Sequence, residues 1–210
     1  MNLTTYRIDR DGADRLLFLF HGYSAEQHHL AAYVPLIDPD ERFTAICPRA
    51  IHDLAEGDGA SWFDLSEQGF SRAGFDEAVL VLREFIATES AAAKVPIERC
   101  IIGGFSQGGY LSLALAGQQD APRYGGLWVM CCALPPFGDL TLDFTPGERR
   151  PALVQLGTRD PFVPPDKTRA AVAALGDAGW NVRVGEYDMA HSQTLEMIAD
   201  AKDWLATIGS

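Results

Sequence analysis

Basic residues are scarce in this sequence: 17 Lys and Arg stand against 29 Asp and Glu, for a formal net charge of −12 over 210 residues. Binding a phosphate backbone needs clustered lysine and arginine, and these 17 are scattered along the chain, so nucleic acid is excluded as an expected partner. Screening over about 8 Å leaves little of the acidic field inside a cleft, and a neutral substrate fits best. Long apolar runs are absent too. No stretch approaches the ~18 residues of a membrane span, and the polar segment from Met1 to Arg10 lacks the apolar core of a secretion signal, so a cytoplasmic protein is expected.

Cysteine is sparse and unpatterned. Cys47, Cys100, Cys131 and Cys132 show no C-x-x-C spacing, and three of them lie in or beside apolar runs, which suits core packing better than zinc or redox chemistry. The adjacent His28 and His29 lack the i, i+4 spacing of a helical metal site, and G-x-G-x-x-G and Walker patterns are missing. Neither a metal nor another cofactor is expected. No internal repeat, low-complexity tract or linker divides the chain.

What is present is an ordinary globular composition, 47% hydrophobic and 22% charged, enough to bury one core and to expect a single domain over residues 1–210. Six short apolar runs read as strands: Leu16 to Phe20, Phe43 to Cys47, Ile97 to Gly103, Gly126 to Cys132, Ala152 to Leu156 and Val182 to Tyr187. Helical spacing covers Gly74 to Glu89 and Gln107 to Gly117, with further helices over Asp166 to Leu175 and Ser192 to Ile208. Alternation of this kind predicts an α/β fold with a mostly parallel central sheet and helices on both faces. Thr4 to Asp9 adds an antiparallel edge hairpin, and His52 to Gly69 and Pro135 to Pro151 read as loops. Ligands of open parallel sheets bind outside the carboxyl ends of the strands, so chemistry is sought in the loops that follow them.

Ser106 lies in such a place. The string GGFSQGG, Gly103 to Gly109, follows the apolar run Cys100-Ile101-Ile102 and precedes a helix, the setting of a nucleophile elbow that lifts a serine hydroxyl out of the sheet. The other reading is a glycine-rich turn carrying an ordinary serine. A serine hydroxyl needs a base to take its proton and a carboxylate to orient that base. Asp160 follows the strand Ala152 to Leu156, and His191 follows Val182 to Tyr187, which gives the chain order Ser, Asp, His of α/β-hydrolases. Asp188, three residues before His191, is the rival acid; Asp160 is preferred for its loop. Among the other histidines, His52 lies in a long loop, and His28 and His29 are read as facing solvent or capping a segment. The turn His21-Gly22-Tyr23 after the first strand offers the Tyr23 N–H as an oxyanion donor beside that of Gln107.

With these residues placed, the chain resembles the phospholipase/carboxylesterase family of small α/β-hydrolases, which contains bacterial carboxylesterases and acyl-protein thioesterases. The likeness runs nearly end to end through HG at His21-Gly22, CPRA at Cys47 to Ala50, SWFDL at Ser61 to Leu65, GGFSQGG, ALP at Ala133 to Pro135, GTRDPFVP at Gly157 to Pro164 and AHS at Ala190 to Ser192. The resemblance implies an α/β-hydrolase fold without a large cap domain, and a cofactor-free serine esterase or thioesterase acting through an acyl-enzyme. It makes Ser106 the nucleophile, Asp160 the acid, His191 the base, and the N–H groups of Tyr23 and Gln107 the oxyanion hole. It also places Trp62, the Leu134-Pro135 turn and Phe162 along an acyl groove, and implies a small ester or acyl substrate and a monomer or homodimer. Lysophospholipid hydrolysis, acyl transfer and a non-catalytic ligand-binding role are the competing functions. HGYSAEQ stands where HGxGD is common, which leaves acyl length open; Cys131-Cys132 replaces smaller residues, and Ala190 stands where glycine often precedes the histidine.

Overall fold

The computed structural model of the protein describes residues 3–55, 57–66 and 69–209. Strand β1 (Thr5–Ile8) precedes β2 (Arg15–Phe20), the short helices α1 (His28–Ala31) and α2 (Val34–Ile37), and β3 (Phe43–Pro48). Two small ladders follow, β4 (His52–Asp53) with β5 (Ala60–Ser61) and β6 (Leu65–Ser66) with β7 (Gly69–Phe70). Helix α3 (Arg72–Ala93) leads to β8 (Cys100–Phe105), α4 (Gln107–Gly117) and β9 (Gly126–Met130). The chain closes with β10 (Pro151–Gly157), α5 (Pro165–Asp177), β11 (Asn181–Tyr187) and α6 (Leu195–Ala206).

Seven strands form one sheet in the order β1-β3-β2-β8-β9-β10-β11. Every neighbouring pair is parallel except β1 against β3, where Thr5 stands opposite Pro48. The expected antiparallel edge is therefore present but is not a hairpin, because β1 pairs with β3 instead of its sequence neighbour β2.

The period of two along β2 divides the core. Leu16, Phe18 and Phe20 join the layer under α3, α4 and α5, whereas Leu17 and Leu19 join the layer under α1, α2 and α6. Each such side chain contributes on the order of 1.5–3 kcal/mol by leaving water. Helix α3 presents Phe75, Ala78, Val79, Leu82, Phe85 and Ile86 to the sheet, starts where the Ser71 side chain accepts a hydrogen bond from the Gly74 N–H, and ends on Lys94 at φ 56°. Helix α4 is buried on all sides, as its continuous apolar and small composition requires.

Boundaries moved where local chemistry intervened. Ile97–Arg99 is a single 3-10 turn after Pro96, so the strand expected from Ile97 begins at Cys100. Cys131 adopts φ 49°, which ends β9 before the expected Cys132. Thr194 caps α6 by accepting from the Met197 N–H, and the helix starts later than Ser192. The expected loop His52 to Gly69 carries both small ladders, although residues 56, 67 and 68 lie outside the described residues. No helix among the described residues is long and apolar enough to cross a membrane.

Candidate active site

Strand β8 delivers Ser106 to the carboxyl edge of the sheet on a strained backbone. Its φ of 52° and ψ of −116° are costly for a residue with a Cβ, about 1–3 kcal/mol. Two hydrogen bonds hold it there: its N–H donates to Met130 O (3.0 Å), and its carbonyl accepts from the Tyr110 N–H (3.0 Å). The flanking glycines make room for this turn. A Cβ at Gly108 would stand 1.9 Å from the Phe20 carbonyl oxygen, and one at Gly104 would stand 2.5 Å from the Gly108 carbonyl carbon. The strand–turn–helix context expected for GGFSQGG is present, and it leaves room only for glycine at positions 104 and 108.

The loops after β10 and β11 bring Asp160 and His191 together. His191 Nδ1 lies 2.6 Å from Asp160 Oδ2, while Asp160 Oδ1 accepts the N–H groups of Phe162 and Val163, both at 2.9 Å. The carboxylate is buried and the imidazole nearly so. Phe105 and Phe162 border the imidazole, with ring centroids 4.8 and 5.4 Å away. Asp188 is not part of this arrangement: it is exposed and pairs with Arg159 at 2.6 Å. Ser106 and His191 line one cavity, and among the described residues no hydrogen bond joins the serine hydroxyl to the imidazole. Such contacts are often long without substrate and tighten when it binds.

A second scaffold sets the two expected oxyanion donors. Gln107 is the first residue of α4, so its N–H has no partner within the helix. The turn at Gly22 abuts the nucleophile closely enough that a Cβ there would stand 3.3 Å from Ser106 Cβ. His21 locks that turn. The Ala50 N–H donates to its Nε2 (3.0 Å), so the ring proton sits on Nδ1, which donates to Gly22 O (2.8 Å). Burial pushes the His21 pKa down to about 4, so the ring stays neutral.

Residues 60–63 tie the scaffold together. Trp62 Nε1 donates to His21 O (2.9 Å), the Gln107 side-chain amide accepts from the Trp62 N–H (3.1 Å) and donates to Phe63 O (2.8 Å), and the Ser24 N–H donates to Ala60 O (3.1 Å). Trp62 is therefore a wholly buried strut beneath the site and not the groove residue that was expected. Its indole N–H needs a buried acceptor, and the His21 carbonyl is one.

The cavity around Ser106 has a volume of about 410 Å³. Besides Ser106, His191 and Gln107, its walls are Tyr23, Ser24, Leu65, Phe70, Phe105, Tyr110, Phe162 and Val163, with no Asp, Glu, Lys or Arg among the described residues. Phe162 stands at this wall as expected and is 77% exposed. Leu134 and Pro135 do not reach it. They line a separate hollow with Leu140, Leu142 and Phe144. Leu65, Phe70, Tyr110 and Val163 were not named as site residues by sequence reasoning, although Leu65 and Val163 lie in the SWFDL and GTRDPFVP motifs and Tyr110 showed helical spacing. His28 is exposed against Tyr6, while His29 is partly buried with its ring 6.0 Å from Phe105.

Among the described residues, Cys131, Asp160 and His191 place possible metal-ligand atoms within 4.8 Å of one another. Burial pushes the Cys131 thiol up to about 12, which disfavours the thiolate a cation would need, and the facing nitrogen and oxygen of His191 and Asp160 already bond each other.

Residues 7–208 match the sequence model of the phospholipase/carboxylesterase family. Acyl-protein thioesterase 1 of Candida albicans is 32% identical over 163 residues, 70% of this chain and 68% of that protein. Among solved structures, a Bacillus cereus carboxylesterase superposes with a TM-score of 0.84 at 17% identity, covering 98% of this chain and 94% of that one. Esterase PE8 also gives 0.84, at 22% identity over 99% of this chain and 100% of its own. At such identities the superpositions establish a shared α/β-hydrolase fold.

Proposed function

We propose, for a chain that belongs to the phospholipase/carboxylesterase family and is a serine hydrolase of ester or thioester bonds, that Ser106, His191 and Asp160 carry the reaction on a neutral acyl substrate. His191 Nε2 takes the Ser106 proton as Oγ attacks the acyl carbonyl, and Asp160, bonded to Nδ1, holds the tautomer that leaves Nε2 free and stabilises the imidazolium. The N–H groups of Tyr23 and Gln107 receive the oxyanion. His191 then protonates the departing alcohol or thiol, and water repeats the cycle on the acyl-enzyme.

The observation that carries this reading is the 2.6 Å contact between buried Asp160 and His191, which lines the same cavity as Ser106. The uncharged, aromatic-rich lining supports an acyl chain as the occupant. A carboxylic ester is the first choice of substrate. A thioester is the second, supported by the likeness to the Candida albicans acyl-protein thioesterase.

Ser106→Ala is expected to lower kcat on p-nitrophenyl butyrate by about 10⁴ to 10⁶. An alkyl fluorophosphonate should label the native protein and not this variant. Near-full turnover by the variant, or a native protein inert to the probe, would refute the assignment, the latter in favour of a non-catalytic binding module. Comparing kcat/KM for p-nitrophenyl octanoate and an S-octanoyl thioester separates the two substrate classes.

A further inference from the structure

A cavity of about 600 Å³ lies at the other end of the sheet from Ser106. Its walls come from the starts of the parallel strands: Arg15 of β2, Arg99 just before β8, Arg150 just before β10 and Arg183 of β11, with Trp204 of α6 as an apolar side. We propose that this pocket binds a phosphate-bearing small molecule.

Four of the chain's 17 basic residues, scattered in sequence, converge on one hollow of a molecule whose net charge is −12. The carboxylates beside them are fewer. Asp14 serves both Arg15 (2.8 Å) and Arg99 (2.5 Å), Asp200 serves Arg183 (2.7 Å), and Glu98 is the acid in the wall itself. Arg150 has no ion pair among the described residues, and its buried Nε has no hydrogen-bond partner. A buried donor left in that state is costly, and more so when charged, unless an acceptor arrives.

The carbonyl end of α6 borders the pocket and would by itself repel an anion. Arg42 covers that end, donating to the carbonyls of Leu205, Ala206 and Ile208. The guanidinium fork matches phosphate oxygens two at a time, so Arg150 with its neighbours suits a phosphate or diphosphate group. Burial and the nearby Arg123 hold the Arg150 pKa below its ordinary value, against a smaller opposing effect of Glu98.

Isothermal titration calorimetry with sodium pyrophosphate, at ionic strength matched by NaCl, tests the proposal on the intact protein. Saturable binding is expected, weakened about tenfold or more in Arg150→Gln, partly restored in Arg150→Lys and unchanged in Ser106→Ala. No saturation with a Kd below about 1 mM, or equal binding by Arg150→Gln, overturns it. Equal affinity for succinate overturns the choice of phosphate. Should Arg150→Gln fail to fold, amide and indole NMR shifts of the native protein decide: changes centred on Gly125, Asn181 and Trp204 support the site, and changes confined elsewhere overturn it.

Discussion

Replacing Asp160 with asparagine tests the catalytic assignment through hydrogen-bond direction alone. The Phe162 and Val163 N–H groups both donate to Oδ1, so the amide oxygen of the variant must occupy that position and its NH₂ must take the place of Oδ2. That NH₂ would then donate to His191 Nδ1, 2.6 Å away in the native protein. The imidazole proton is driven to Nε2, the atom that has to accept from Ser106, while Phe105 and Phe162 still border the ring. The geometry survives and the tautomer is wrong. A loss of about 10⁴ in kcat is expected, equal to about 5 kcal/mol of transition-state stabilisation. Asp188→Asn removes only an exposed ion pair with Arg159 and should leave the rate within about twofold. Initial rates on p-nitrophenyl acetate, with circular dichroism to establish folding, make the comparison. Asp160→Asn retaining about a tenth of native activity, or Asp188→Asn losing as much as Asp160→Asn, would refute the reasoning.

Gly108→Ala forces a Cβ to within 1.9 Å of the Phe20 carbonyl and should destabilise the protein by about 3 kcal/mol or more, read from the urea midpoint. Gly138→Ala, with open space at its Cβ, should stay within about 0.5 kcal/mol. Trp62→Phe deletes the donor to His21 O and should lower kcat about tenfold with little change in KM, less than the 10² to 10³ of losing an oxyanion donor outright; an unchanged kcat would show that the Tyr23 turn holds itself. For acid stability, burial lowers the His21 pKa to about 4 in the folded protein against 6.5 for an ordinary histidine, so between those values the unfolded chain binds the extra proton. Stability should therefore fall as pH drops from 6.5 to 4, by about 3 kcal/mol from this group. Urea titrations of native protein and His21→Gln across that window measure it, and parallel pH slopes would contradict the assignment.

The glycine run around Ser106 specified its own structure, because the crossing of α4 over β2 leaves no volume for side chains at Gly104 and Gly108. The unbroken apolar run of β2 likewise indicated that both faces of the sheet would be covered, since Leu16 to Phe20 is apolar at every position. The strand-to-loop placement of Asp160 and His191 was readable for the same reason: a parallel sheet puts all its strand ends on one edge. Loop position already favoured Asp160 over Asp188 in the sequence, and the tertiary structure adds that Asp160 meets two backbone N–H groups and an imidazole in the interior while Asp188 stays exposed. It also turned Trp62 from groove residue into strut and sent Leu134 to a different hollow, because an apolar side chain in a loop carries no periodicity to say which way it points. The arginines make the same point from the opposite side. In sequence Arg15, Arg99, Arg150 and Arg183 lie far apart, and they line one hollow because parallel strands also begin at a common edge.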